Sequence, residues 1–245
     1  MKVALDSKAR APASMALLAR SRSATRDEVA GVPWMGVLKP EEAQRAALDL
    51  RVVEVHSGEY VCRIGRAPTF WFGVIDGLLK MTGENAQGLP MTFMGVPPGG
   101  WFGEGTVLKH EPYRYNIQAL RASVVAGITV ETFDWLLDHS IGFNRFVMLQ
   151  LNERLGQFIA ARETDRLSDP EHQVARSLAA LFHPTLYPRV GRHLRITQQE
   201  LAYLVGLSRQ RVNRALGSLE HEAIIRVEYG GVRVLDLDRL RGFGR

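Results

Sequence analysis

The chain has 245 residues, 46% of them hydrophobic, and a net charge of +5, which suffices for two modest folded domains and excludes general disorder. Its single cysteine, Cys62, excludes an intrachain disulfide framework and a four-cysteine iron–sulfur cluster, and the absence of any apolar run near ~18 residues argues against a membrane partner and for a reducing cytoplasm. From Arg189 to the end there are eleven Arg, no Lys and six acidic residues, whereas the rest balances twenty basic against twenty acidic, so the whole excess lies on one segment, as a footprint on phosphate requires.

Met1–Gly31 is rich in Ala, Ser and Arg without sustained periodicity and reads as a flexible extension with room for one short helix, placing a first boundary near residue 33. Pro40–Leu50 has the apolar spacing of a short amphipathic helix. Seven short strands follow, Arg51–His56, Tyr60–Ile64, Thr69–Ile75, Leu78–Thr82, Pro90–Val96, Tyr115–Leu120 and Ser123–Thr129, separated by Gly- and Pro-bearing turns. Regular short strands with that punctuation predict a sandwich or roll, over residues 34–140. Glu131–His139 is a short helix, and Ile141–Leu167 a long one ending at Asp169-Pro170, a helix-breaking pair. Phe143, Val147, Leu151, Leu155 and Phe158 step along the long helix by three or four residues. That narrow seam fits packing on the roll or on a twin helix, and it makes residues 141–168 a candidate dimerisation element. Residues 169–245 form a second domain, opening with a helix at Glu171–Phe182.

The most specific stretch is Ile196–Ile225. Thr197 followed by Glu200 is a capping box. Leu201, Leu204 and Val205 are spaced to face inward. Gly206 is a stop that takes the left-handed conformation cheaply. Ser208 caps a second helix whose buried stripe is Val212, Ala215, Leu216 and Leu219. Its other face carries Arg209, Gln210, Asn213 and Arg214, with Arg211 beside them. An Arg fork matches the acceptors of guanine, and Asn or Gln matches adenine. These five, with Thr197, Gln198 and Ser208, are the candidate DNA-contacting residues. Two apolar runs around Tyr229-Gly230-Gly231 then predict a hairpin, completing a winged helix-turn-helix. No nucleophile–base set, no metal-spaced His/Cys cluster and no Gly-rich loop with its Lys is present, so neither catalysis nor a metal is expected.

Gly103-Glu104 and Arg114 form a second constellation. Glycine lets backbone N–H groups approach an anion, Arg supplies a bidentate charge for phosphate, and Glu accepts from sugar hydroxyls, a set suited to a ribose phosphate. One Glu and one Arg also make an ordinary ion pair.

Taken in order, an antiparallel roll, the Gly-Glu…Arg segment, a long helix and a winged helix-turn-helix resemble the family of the cyclic-AMP receptor protein and the fumarate–nitrate reduction regulator, over roughly residues 37–240. Ser208-Arg209-Gln210-Arg211-Val212-Asn213-Arg214 stands where the family has Ser-Arg-Glu-x-Val-x-Arg. The resemblance implies an α+β fold and a homodimer on an inverted-repeat operator in double-stranded DNA. It also implies a contact with RNA polymerase and base contacts by Arg209, Gln210 and Arg214. It places Gly103, Glu104, Arg114 and Tyr115 at the positions that hold a cyclic nucleotide, the implied effector. Two departures weigh against cyclic AMP: Tyr115 replaces a small hydroxyl residue, and Ala160 and Ala161 replace Thr-Ser on the long helix. The alternatives are the same DNA-binding scaffold without an effector, or a nucleotide-binding module without DNA function.

Overall fold

In the computed structural model, residues 17, 19–84, 87, 88, 90–164 and 169–243 are described, with the side chains of 90 and 161–164 excepted. The fold is α+β: an antiparallel roll, a long helix and a winged helix-turn-helix. One sheet of the roll has strands β1 (Arg22–Ser23), β2 (Arg51–Val55), β9 (Ser123–Thr129), β4 (Phe70–Asp76) and β7 (Trp101–Phe102) in the order β1-β2-β9-β4-β7. The other has β3 (Tyr60–Cys62), β8 (Asn116–Ala119), β5 (Leu79–Glu84) and β6 (Pro90–Val96) in the order β3-β8-β5-β6. All pairings are antiparallel.

Strand β4, FWFGVID, is apolar almost throughout because both its faces are covered. Phe70, Phe72 and Val74 join the core between the two sheets, with Met81, Phe102, Ile117 and Val125. Trp71 points the other way, into a cluster with Trp34, Trp101, Phe133 and Phe143, whose ring centroids lie 4.6–5.7 Å apart. Gly73 shares that face because a Cβ there would meet the Trp101 ring at 2.4 Å. The helices that cover this face are α2 (Pro40–Asp49), α4 (Val130–His139) and the start of α5 (Ile141–Thr164); α1 (Arg26–Ala30) precedes them in the chain and α3 (Glu104–Leu108) lies between α2 and α4.

The expectation of a flexible extension through residue 33 does not hold for its second half. Arg22–Ser23 adds a strand to β2, and α1 is closed by a Thr25/Glu28 capping box. Leu17 lies in the roll core, and Val32 lies in the aromatic cluster. Edge pairing and a capped single turn need no apolar period, so periodicity could not reveal them. Residues 1–16 and 18 fall outside the described residues.

The second domain contains α6 (Pro170–Leu181), α7 (Gln198–Val205), α8 (Arg209–His221) and α9 (Leu237–Gly242). Its three-stranded wing sheet has β10 (His193–Arg195), β11 (Ile225–Glu228) and β12 (Gly231–Val234) in the order β10-β12-β11. Its core is continuous with that of the roll.

Candidate nucleic-acid interface and the buried roll site

Local chemistry builds the helix-turn-helix. Thr197 Oγ1 accepts from the Glu200 N–H at 3.1 Å, and Glu200 Oε2 accepts from the Thr197 N–H at 2.7 Å, closing the capping box of α7. Gly206 ends the helix at φ 70°, in the left-handed region. Ser208 then caps α8 by accepting from the Arg211 N–H at 3.4 Å. Val212, Ala215, Leu216 and Leu219 are buried, while Arg209, Gln210, Arg211, Asn213 and Arg214 are exposed, so α8 presents one polar, basic face to solvent. Thr197 is exposed, and Gln198 is half-buried under the first turns of α8.

A cleft of about 420 Å³ separates the two helices from the wing and is lined by Thr197, Gln198, Gln199, Arg209, Glu228 and Gly230 among others. Tyr229 is fully exposed at the wing tip, beside Gly230 at φ 71°. Below it, Arg233 Nε donates to Glu228 Oε1 at 2.6 Å, and that hydrogen bond holds the Glu228 carboxyl below the usual carboxylate range.

The second constellation is not assembled. Gly103 does take a left-handed conformation, φ 88°, at the start of α3, and Glu104 is buried. The arginine that reaches Glu104 is Arg154 of α5, not Arg114. Arg154 Nε donates to Glu104 Oε1 at 2.5 Å, its Nη2 to the Trp101 carbonyl, and its Nη1 to Met94 Sδ at 3.7 Å. Burial is the largest influence and pulls the Arg154 pKa down, but the charge and hydrogen bond of Glu104 together with the neighbouring Tyr187 and Tyr115 outweigh it, and the net direction is up. Arg114 keeps 79% of its side chain in solvent and pairs with Glu111 at 3.0 Å. Tyr115 turns its hydroxyl to Thr106 Oγ1 at 3.4 Å, and burial raises its pKa. The set that would hold a cyclic nucleotide is therefore not assembled: Arg154 takes one oxygen of the carboxylate meant for ribose and leaves Oε2 buried without a partner, and the guanidinium meant for phosphate lies on the surface. Arg154 escaped the sequence reading because it stands between Leu151 and Leu155 of the apolar seam.

The seam itself divides. Phe143 and Val147 are buried in the chain's own aromatic cluster, not offered to a twin. Beyond them Leu151, Leu155 and Phe158 are exposed, with Met148, Leu149 and Ile159. Ala160 is half-buried; the Ala161 side chain lies outside the described residues.

A second, polar face of α5 holds the winged helix-turn-helix domain. Gln150 Nε2 donates to the Thr185 carbonyl at 3.0 Å, Gln157 Nε2 to the Ala180 carbonyl at 3.3 Å, and Glu153 pairs with His183 at 3.2 Å. The roll contributes Arg121, whose Nη1 lies 3.0 and 3.1 Å from the two Glu200 oxygens and whose Nη2 donates to the Arg195 carbonyl at 2.8 Å. Glu200 thus serves both the cap of α7 and the contact between domains. Gly95 of β6 permits this approach, since a Cβ there would lie 2.7 Å from Leu181 and 2.9 Å from Leu204.

Among the described residues there is no group of His, Cys, Asp and Glu able to hold a metal, and no helix long and apolar enough to cross a membrane. Cys62 is buried, and burial pushes its thiol up to about 12.

Residues 52–140 match the family model of the cyclic nucleotide-binding domain, and residues 172–243 that of the Crp-like helix-turn-helix domain. The transcriptional regulator SdrP of Thermus thermophilus is 27% identical over 176 residues, 69% of this chain and 81% of its own. The cAMP-activated global transcriptional regulator CRP of Pasteurella multocida is 26% identical over 181 residues, 70% and 80% of the two chains. The solved structure of FixK2 from Bradyrhizobium japonicum superposes with a TM-score of 0.58 at 16% identity, over 79% of this chain and 96% of that one, a likeness of fold.

Proposed function

The chain belongs to the CRP/FNR family of transcriptional regulators, and from that membership we propose that it acts as a homodimer reading an inverted-repeat operator, with its roll held by its own Arg154 in place of a diffusible cyclic nucleotide. The observation that carries the DNA reading is the exposed face of α8, where Arg209, Gln210, Arg211, Asn213 and Arg214 stand on a helix anchored by four buried apolar residues. Such a helix lies in the major groove, with two copies about one helical turn apart on opposite half-sites. Supporting the dimer, Met148, Leu149, Leu155, Phe158 and Ile159 form an uncovered apolar surface on α5. Contact with RNA polymerase in the cytoplasm completes the reading, which assigns the chain no catalytic step.

Effector independence rests on the Arg154–Glu104 pair. It neutralises the roll's buried carboxylate from within, and it ties the roll to the same helix that holds the DNA-binding domain. In place of ligand binding, the amount of protein would set activity.

Two measurements test this. In a gel-shift titration against a selected operator, Arg209→Ala and Arg214→Ala should each cost about 1–3 kcal/mol of specific binding and relax the half-site consensus. Survival of full specific affinity in the double variant would refute the recognition-helix assignment. Calorimetry with cyclic AMP and cyclic GMP should give no saturable heat. Saturable binding abolished by Glu104→Gln or Arg114→Ala would make the chain a nucleotide-gated regulator.

A further inference from the structure

We propose that Gln198 is a positioning residue that sets the base code of the recognition helix, and that it makes no DNA contact of its own. The inference rests on the reading of α8 as the DNA-contacting helix. Gln198 opens α7 and lies half-buried beneath α8. Both ends of its amide are engaged: Oε1 accepts from Arg209 Nε at 3.5 Å, and Nε2 donates to Asn213 Oδ1 at 2.9 Å. The direction of this relay follows from the arginine. A guanidinium has donors only, so the atom of Gln198 that faces it must be the oxygen. The amide nitrogen is then left for Asn213, and the atom of Asn213 that receives it must be Oδ1.

Two consequences reach the groove. Arg209 is held through Nε, which leaves its paired Nη atoms free as the fork that fits guanine O6 and N7. Asn213 has its acceptor turned down to α7 and offers only Nδ2 outward. The bidentate grip on adenine needs the Asn acceptor on N6 and the Asn donor on N7 together. With one lone pair of Oδ1 taken and the oxygen held toward α7, that grip must compete with the Gln198 bond. Asn213 becomes a donor that takes N7 of either purine, or thymine O4, and rejects cytosine N4. The sequence expectation that Asn213 reads adenine is thereby replaced by a tolerance of both purines.

The test is selection from a randomised duplex library by the full-length protein and by Gln198→Glu, Gln198→Ala and Asn213→Ala, with affinity for a scrambled duplex and thermal unfolding as controls. Asn213→Ala identifies the base pair that Asn213 reads. There the wild type should take adenine and guanine within about twofold of each other. A Gln198→Glu carboxylate still accepts from Arg209 but cannot donate. Asn213 must then donate to it and turn Oδ1 outward, shifting the preference toward cytosine or adenine by about tenfold, the scale of one base contact. Gln198→Ala frees Asn213 for the adenine grip and loosens Arg209, so adenine gains and guanine discrimination at the neighbouring pair falls. Affinity for the scrambled duplex should stay unchanged. Identical base profiles for wild type, Gln198→Glu and Gln198→Ala would overturn the proposal while leaving the recognition helix in place, as would a wild type that prefers adenine over guanine tenfold. A wild type with no consensus would overturn both.

Discussion

Two helices of this chain carry arginines to opposite ends. On α5, Arg154 is turned inward and spends its guanidinium on Glu104, a backbone carbonyl and a thioether. On α8, Arg209, Arg211 and Arg214 are turned outward. A buried charge costs several kcal/mol to desolvate and is tolerated only when paired, so the inner arginine is committed to the fold. The outer ones are cheap in the free protein and remain available to phosphate and base edges. The same side chain is thus committed to the fold in one place and left open to a partner in the other, and burial decides which.

The largest effect should come from breaking the inner pair. Glu104→Ala leaves Arg154 buried without its counter-charge and should cost about 3–5 kcal/mol in urea unfolding. The double replacement Glu104→Leu with Arg154→Met should recover most of that loss. A single variant as stable as the wild type would show that Arg154 swings to solvent and that the inner–outer contrast is false.

An intermediate case sits between the two domains. Arg121→Ala removes a charge-assisted contact to Glu200 and a bond to the Arg195 carbonyl, with an expected loss of about 1.5–3 kcal/mol. Hydrogen exchange should quicken along α7, whose cap shares Glu200. Exchange confined to the β8–β9 turn would mean that the roll and the helix-turn-helix are not coupled there.

The outer arginines supply the converse. Arg214→Ala should change unfolding stability by no more than about 0.5 kcal/mol, while the proposed reading expects it to weaken the specific complex.

A comparably small effect belongs to a surface pair that mimics the inner one in geometry only. Arg22 bonds both Glu28 oxygens at 2.7 and 2.8 Å, and that hydrogen bond, together with the α1 cap, lowers the Glu28 pKa to about 2. A depressed carboxylate stabilises above its unfolded pKa and loses that contribution as pH falls, here between about 4.5 and 2. Because half of the Arg22 side chain is in solvent, Glu28→Gln should cost only about 0.2–1 kcal/mol at neutral pH and flatten the acid limb slightly. A loss as large as that of Glu104→Ala would erase the distinction between buried and exposed pairs.

Legibility in the sequence followed the range of the interactions. The capping box of Thr197 and Glu200, the stop at Gly206, the cap at Ser208 and the buried stripe of α8 are local, each written within four residues, and each stands where the sequence put it. The glycine turns likewise marked out most strands of the roll. Strand β7, helix α3, strand β10 and helix α9 are two to six residues long, too short to show a period, and went unseen.

By itself, then, the sequence determined the winged helix-turn-helix, the roll and the basic face of α8, because caps, turns and periodicity act between near neighbours. Tertiary structure alone decided which arginine meets Glu104, which half of the α5 seam is spent inside the chain, and which atom Asn213 turns to Gln198. Each depends on a partner fifteen or more residues away: Arg154 on Glu104, Phe143 on Trp71, Asn213 on Gln198. No local pattern encodes that choice, since the same Arg between two leucines reads equally as a solvated side chain until packing removes the water around it.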